Sequence, residues 1–201
     1  LAGHSFPAAD RSVEWWDERL RDPPYGGGAE SLFIGSDARG IAAACQIHPL
    51  HQWIAGEPLP VAGVGTVAIS PAYRRRGIAA ELVGEALRAA RERGDVGSAL
   101  FPFRVSFYQK LGYGLAGETH QYQVPAHTLP DSAERHRVEM IEDDDVRGEA
   151  LALYAEWAAH ESGQLDRTGR MWLNAITGEG RMLAGYRSHR GELEGYALAL
   201  Y

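Results

Sequence analysis

The sequence predicts an α/β (α+β) protein, in which a mixed, mostly antiparallel sheet flanked by helices is followed by a second, partial unit of the same kind. Three observations carry this expectation. Two short β-rich runs at 31–36 and 41–47 flank a turn at 37–40. A β-rich run at 61–69 stops at Pro71 and leads, through an arginine–glycine turn, into an amphipathic helix at 77–93. A polar stretch then separates these elements from another helix and strand pair. The 201 residues, 45% hydrophobic and 23% charged, suit a globular chain of one large domain or one and a half smaller ones.

Residues 10–20 predict a short helix with Val13, Trp16 and Leu20 on one face, followed by a Pro/Gly loop at 22–28. Residues 48–60 are expected to be irregular. In the helix at 77–93, Ile78, Leu82, Ala86 and Ala90 repeat every fourth residue, and Val83 and Leu87 lie beside them. Glu81 and Glu85 stand in its first half and Arg88, Arg91 and Arg93 towards its end, matching the helix dipole, with Gly94 as C-cap. A strand at 98–103, a short helix at 105–111 stopped by Gly112, and a strand or hairpin at 115–124 complete a first unit, 1–125. Residues 126–137 predict a linker, and 138–201 the start of a second unit. There Asp143, Asp144 and Asp145 open a helix to about His160, with Leu151, Tyr154 and Trp157 along one face. Strands at 182–187 and 193–201 follow. A short repeat links the halves: Asp10-Arg11-Ser12 precedes Trp16 as Asp166-Arg167-Thr168 precedes Trp172.

A net charge of −7 argues against general nucleic-acid binding. No apolar run approaches the roughly 20 residues of a membrane span. The start of the chain shows no signal-peptide pattern and no Met, so the chain is expected to be cut from something longer. The single cysteine, Cys45, lies in an apolar run and is expected to be buried, and nothing requires an oxidising compartment, so the expected location is cytoplasmic. His48 and His51 have a ligand-like spacing, but no further ligand stands nearby, so they are expected to be loop histidines and no metal site is expected. The positive charge is concentrated at Arg74, Arg75 and Arg76, which on an acidic protein suits a small polyanion.

Those arginines stand where a strand ends and a helix begins. A helix start presents unpaired N–H groups and partial positive charge, and is therefore an anion site. Gly77 and Ala79 leave its backbone open to a pyrophosphate, and arginine forks add charge-assisted hydrogen bonds. The spelling Arg/Gln-x-x-Gly-x-Gly/Ala occurs twice, at 74–79 and 109–114, but the second copy ends a helix and is expected to be a C-cap and turn. Residues 63–68 spell the dinucleotide-binding pattern inside a continuing β-run, where no helix can open on the glycines. Tyr108 has two readings: a core tyrosine with its hydroxyl at the rim, or a general acid for a departing thiolate.

At these residues the sequence resembles the GNAT acetyltransferase superfamily, whose phosphate-binding signature is matched by Arg74, Gly77 and Ala79. Residues 67–77, 107–114 and 165–172 are similar to the Eis-like (enhanced intracellular survival) acetyltransferases, over most of the chain in order. The resemblance implies a GNAT fold with acetyl-CoA held in the first unit only. It implies that the backbone of Val67 and Ile69 holds the acetyl-pantetheine arm. It also implies that Arg74, Arg75 and the amides near Gly77, Ala79 and Ala80 hold the pyrophosphate, and that Tyr108 is the general acid. Two GNAT-like units followed by a sterol-carrier-like domain, assembled as homo-oligomers, would be the family's whole protein. This sequence departs from it in lacking an opening strand, a completed second unit and the third domain. A C-terminal carboxylate acts at the active site in that family, a role not assigned to Tyr201. The implied reaction is acetyl transfer to a primary amine of a small molecule. Negative charge with Trp15, Trp16 and Trp53 in the first unit favours a cationic acceptor. A non-catalytic module that senses acyl-CoA and a purely structural domain are the alternatives.

Overall fold

The computed structural model describes residues 12–118, 120, 122–142, 144–178 and 180–200. Helix α1 (Val13–Arg21) opens on Ser12, whose hydroxyl accepts the Trp15 amide. Asp10 and Arg11 lie outside the described residues. Strand β1 (Leu32–Asp37) pairs antiparallel with β2 (Gly40–Ile54), and β2 with β3 (Glu57–Ile69). The chain then makes a single turn at Pro71–Tyr73, crosses over as α2 (Ile78–Arg93) and returns as β4 (Gly97–Ala99), parallel to β3. The sheet order is β1-β2-β3-β4, so it is mixed and mostly antiparallel.

The expectation of irregular chain at 48–60 is corrected. These residues extend both strands and close a hairpin at Ala55 and Gly56, whose φ values of 52° and 86° suit a tight turn that follows the strand twist. The three prolines of this hairpin, Pro49, Pro58 and Pro60, each sit where the ladder loses nothing. Pro58 pairs with Trp53 and Pro60 with His51, and both Trp53 N and His51 O turn away from β3, towards residues 164 and 166. In an antiparallel ladder both members of such a pair face outward, so neither proline nitrogen is asked to donate. Pro49 occupies the same parity on β2.

Helix α2 packs Leu82, Val83, Ala86 and Ala90 onto Ala43, Cys45, Ile47, Ala62 and Val64. The apolar positions repeat at helical spacing on one side and at alternate residues on the other, and the alanines let the two layers approach closely. Gly94, at φ 104°, caps the helix as its position predicts. Two expected strands are shorter or absent. Beyond Ala99 the chain leaves β3, with Pro102 in the departing segment. Among the described residues of 115–124 there is no strand, because β4 offers a three-residue edge and Gly114 and Gly117 favour coil.

The second sheet has the order β5-β6-β7 (Val138–Met140, Arg181–Arg187 and Leu193–Leu200), all antiparallel. Its core joins Ile141 and Leu183 to Ala150, Tyr154 and Ala158 of α4 (Asp144–His160) and to Trp172 and Ile176 of α5 (Gly169–Ile176), where α3 is Val105–Gln109. The buried face of α4 is thus 150–154–158, an i, i+4 stripe, and Trp157, expected on that face, is half exposed. Asp143 and Tyr201 lie outside the described residues. Thr168 caps α5 through the Met171 amide as Ser12 caps α1, and each helix leads into a β-hairpin.

Residues 126–137, expected as a linker, carry two short 3₁₀ turns. The loop between α4 and α5 nevertheless pairs with the edge of β2, through an isolated antiparallel bridge of Gln52 to Leu165. Trp53 N donates to Gln164 O at 2.8 Å, Gly163 N to Trp53 O at 2.7 Å and Asp166 N to His51 O at 2.9 Å. Arg170 of α5 ion-pairs with Asp22 after α1. No helix among the described residues is long and apolar enough to cross a membrane.

Candidate active site

The site grows from the end of β3. In the β2–β3 ladder Gln46 faces Gly65 and Ala44 faces Ala68, so Thr66 and Val67 together oppose Cys45 as a bulge. Thr66 has φ 51°, a left-handed backbone that β-branched residues rarely adopt. On its other side, β3 pairs with β4 only from Val61 to Gly63. From Val64 to Ile69 that edge has no strand partner among the described residues. Val67 and Ile69, expected to hold an extended ligand, lie on this stretch of β3.

The turn after β3 delivers the arginines. Arg75 takes φ 62° and Gly77 φ 82°, and a Cβ on Gly77 would meet nothing within 4 Å. Arg74, Arg75, Arg76 and Gly77 are all exposed. Among the described residues, the amides of Arg75, Arg76, Gly77, Ile78 and Ala79 find no acceptor. Unpaired amides and exposed guanidinium groups thus gather positive charge at the start of α2, which suits an anion. The amide of Ala80, expected in the same role, is already donated to Gly77 O at 2.9 Å in the first turn of the helix. Exposed guanidinium groups, unpaired amides and open space at Gly77 are chemistry that fits the phosphates of coenzyme A.

A brace that the sequence did not reveal holds this turn. Tyr73 OH donates to Asp37 Oδ2 at 2.7 Å, and the guanidinium groups of Arg39 and Arg76 lie 5.0 and 5.5 Å from its ring centroid. Asp37, at the β1–β2 turn, has its carboxyl held down at about 2, first by the Tyr73 hydroxyl and then by Arg39. No local signal pairs residue 37 with residue 73; only the strand register brings them together.

Tyr108 lies on α3 just after β4 and is 4% exposed. Phe103, Phe107 and Tyr113 surround its ring at 4.9–5.7 Å. Its hydroxyl makes no hydrogen bond among the described residues. Burial first, then Cys45 and Tyr113, push the phenol up to about 12. Cys45 stands opposite the Thr66–Val67 bulge, so the phenol is within electrostatic reach of that point. A 380 Å³ cavity bordered by Ser98, Leu100, Tyr108, Gln109, Tyr113 and Glu118 opens on this side of β4, and residues 74–79 do not border it. Residues 109–114 form the helix end their glycines predict: Gly112 has φ 93° and Tyr113 N returns to Tyr108 O at 3.2 Å.

His48 and His51 lie on β2 rather than in a loop, because the strand runs on to Ile54. The pattern at 63–68 is likewise strand. A Cβ on Gly63 would stand 2.5 Å from Leu50 Cδ1 and one on Gly65 3.1 Å from His48 Nε2, so both glycines admit cross-strand side chains.

A four-stranded mixed sheet thus parts beside a bulge, with exposed arginines and unpaired amides where the following helix opens, an arrangement suited to a transferase of the acetyltransferase class. A family profile described as "Acetyltransferase (GNAT) domain" matches residues 2–116, more than half of the chain. The chain belongs to the GNAT acetyltransferase family. An uncharacterized N-acetyltransferase of Streptomyces avermitilis is 27% identical over 157 residues, which is 71% of this chain and 37% of that protein. N-acetyltransferase Eis of Mycobacterium tuberculosis is 29% identical over 146 residues, 69% of this chain and 36% of that protein. The chain thus spans little more than a third of these relatives. Among solved structures, a probable N-acyltransferase from Enterococcus faecalis matches with a TM-score of 0.73 at 19% identity, covering 98% of this chain and 50% of that one. Eis1 from Mycobacterium abscessus matches with a TM-score of 0.62 at 17% identity, covering 98% and 49%. At these identities the structural matches concern the fold alone.

Proposed function

We propose that this chain carries the acetyl-CoA site and catalytic centre of an N-acetyltransferase that acetylates a primary amine of a small, cationic molecule. The observation that carries this reading is the unpaired amides at 75–79, set among Arg74, Arg75 and Arg76 where β3 and β4 have parted. When bound, acetyl-CoA supplies an activated acetyl group as a thioester.

The chain's own residues do the rest. Arg74, Arg75 and the amides of Gly77 and Ala79 hold the phosphates, and Val67 and Ile69 hold the pantetheine arm through their main chain. The bulge at Thr66–Val67 turns a backbone N–H towards the acetyl carbonyl, where it stabilises developing negative charge. Tyr108 faces the departing sulfur. A phenol near 12 stays protonated throughout the physiological range, whereas a thiol has a pKa of about 8.5. Full transfer to the thiolate is therefore uphill, and Tyr108 acts first as a hydrogen-bond donor whose effect grows as the C–S bond breaks. Residues 138–201 act as the beginning of a second GNAT-like unit without a cofactor site, since nothing there repeats the strand–Arg-x-x-Gly–helix order. The chain's place in a longer homo-oligomeric protein of the cytoplasm belongs to the same proposal.

The test is thiol release from acetyl-CoA in the presence of spermidine. Amine-dependent release is expected. Release that ignores the amine, or bound CoA with no turnover, would favour a sensing module and overturn the transferase reading.

A further inference from the structure

The turn between β3 and α2 holds a conformation that its own residues do not favour. Arg75 takes φ 62°, in the left-handed region that residues with a Cβ seldom adopt, and Gly77 follows at φ 82°. Such backbone persists only where its surroundings hold it in place. The main chain ties the turn at its two ends. Ser70 N donates to Ala42 O of β2 at 2.8 Å, Tyr73 N to Ser70 O at 2.9 Å, and Glu81 N to Gly77 O at 3.2 Å. From Arg75 to Ala79 no amide finds an acceptor among the described residues. The middle of the turn is left to side chains.

Tyr73 stands at the entry to that middle. Its hydroxyl donates to Asp37 Oδ2 at 2.7 Å, across 36 residues of sequence. Asp37 ends β1 and faces Gly40 in the ladder, so it sits at the tight turn into β2. The carboxylate is itself fixed there: Arg39 N donates to Oδ1 at 2.8 Å and Arg39 Nη2 to Oδ2 at 3.0 Å. On its other side the Tyr73 ring meets Arg76, whose guanidinium lies 5.5 Å from the ring centroid. One side chain thus links the β1–β2 hairpin to the arginine turn. A carboxylate beside an anion site would oppose the anion. Arg39 ion-pairs with Asp37 and offsets that charge, so Arg74, Arg75 and Arg76 set the sign of the turn.

We propose that Tyr73 and Asp37 are positioning residues for the coenzyme, whose contact holds the turn at 75–79 in the form that leaves its amides free for phosphate. This rests on the acetyl-CoA reading above and adds two residues that act through the turn. Without the contact, Arg75 can leave the left-handed region and the turn relaxes. If the binding-competent form falls to about a tenth of the population, affinity for CoA falls about tenfold. The steps at the thioester do not pass through this contact, so kcat at saturating acetyl-CoA is kept.

Tyr73→Phe keeps the ring against Arg76 and removes only the hydroxyl. Calorimetry should show CoA bound about tenfold more weakly than by the wild type, with the melting temperature held. With spermidine as acceptor, KM for acetyl-CoA should rise in step while kcat holds. Acetyl-pantetheine, a thioester without phosphates, should serve the variant as well as it serves the wild type. A merely structural role would move both donors together. Asp37→Ala should weaken CoA binding likewise, and adding Tyr73→Phe to it should cost nothing further, since both changes remove one contact. Equal CoA affinity in Tyr73→Phe and the wild type would overturn the inference. Equal losses with the two thioesters, or additive losses in the double variant, would overturn it too. A wild type that binds no CoA would instead overturn the reading beneath it.

Discussion

Tyr108 separates two roles that a sequence cannot. Its ring is packed among aromatics and its hydroxyl lacks a protein partner, so the ring belongs to the fold and the hydroxyl to whatever approaches it. Tyr108→Phe removes no intramolecular hydrogen bond. It should lower kcat by about 10²–10⁴-fold while the melting temperature and CoA affinity stay put. A loss of stability with kcat preserved would make Tyr108 a core residue only. Cys45 gives a pH signature. Its thiol, fully buried, is pushed from 9.0 up to about 12. The unfolded chain releases that proton from about pH 9 upwards, whereas the folded chain holds it until about 12. Its contribution is thus fully present below pH 9 and is lost as pH rises through that window. Denaturant titrations of Cys45→Ala should show a shallower alkaline decline than the wild type, and parallel declines would contradict the assignment. Arg74, Arg75, Gly77 and Tyr108 could be singled out from the sequence as candidates because their signals are local. The Asp37–Tyr73 contact could not, because it depends on strand register.

Helix α2 and the turn before it show which elements a sequence specifies well. Apolar residues at helical spacing, acids early, arginines late and Gly94 at the end all agree, and the observed limits follow them. The β2–β3 hairpin was not expected at 48–60, where three prolines are tolerated only because each faces the side of the ladder that needs no donor. The strand after α2 was overestimated for the converse reason: its apolar residues, including Phe101 and Phe103, are exposed. At the start of α2, Gly77 carries a positive φ and an open Cβ direction. Gly77→Ala should cost about 1–2 kcal/mol of stability through the left-handed backbone. The added methyl group would also occupy the cradle, weakening CoA binding roughly tenfold, about 1.4 kcal/mol. A variant that is less stable but binds CoA equally would show that the glycine serves the turn alone.

At the scale of the whole molecule, the loop at 163–166 between α4 and α5 hydrogen-bonds to β2 at residues 51–53, so the expected linker connects parts of the chain that touch. Sequence composition marked 126–137 as polar and proline-bearing, but it carried no information on that contact, which is made of main-chain groups. The caps at Ser12 and Thr168, each opening a helix that leads to a hairpin, give the short repeat a structural counterpart, while the anion cradle occurs in the first half. The central claim, that this cradle holds the phosphates of coenzyme A, is tested most directly by calorimetric titration of CoA into the wild type and into Arg74→Ala combined with Arg75→Ala. Charge-assisted hydrogen bonds contribute about 1.5–3 kcal/mol each. The account predicts one CoA per chain and a loss of at least about 2 kcal/mol, roughly thirtyfold in Kd, in the double variant. Equal affinity in the two proteins, or two CoA bound per chain, would contradict it.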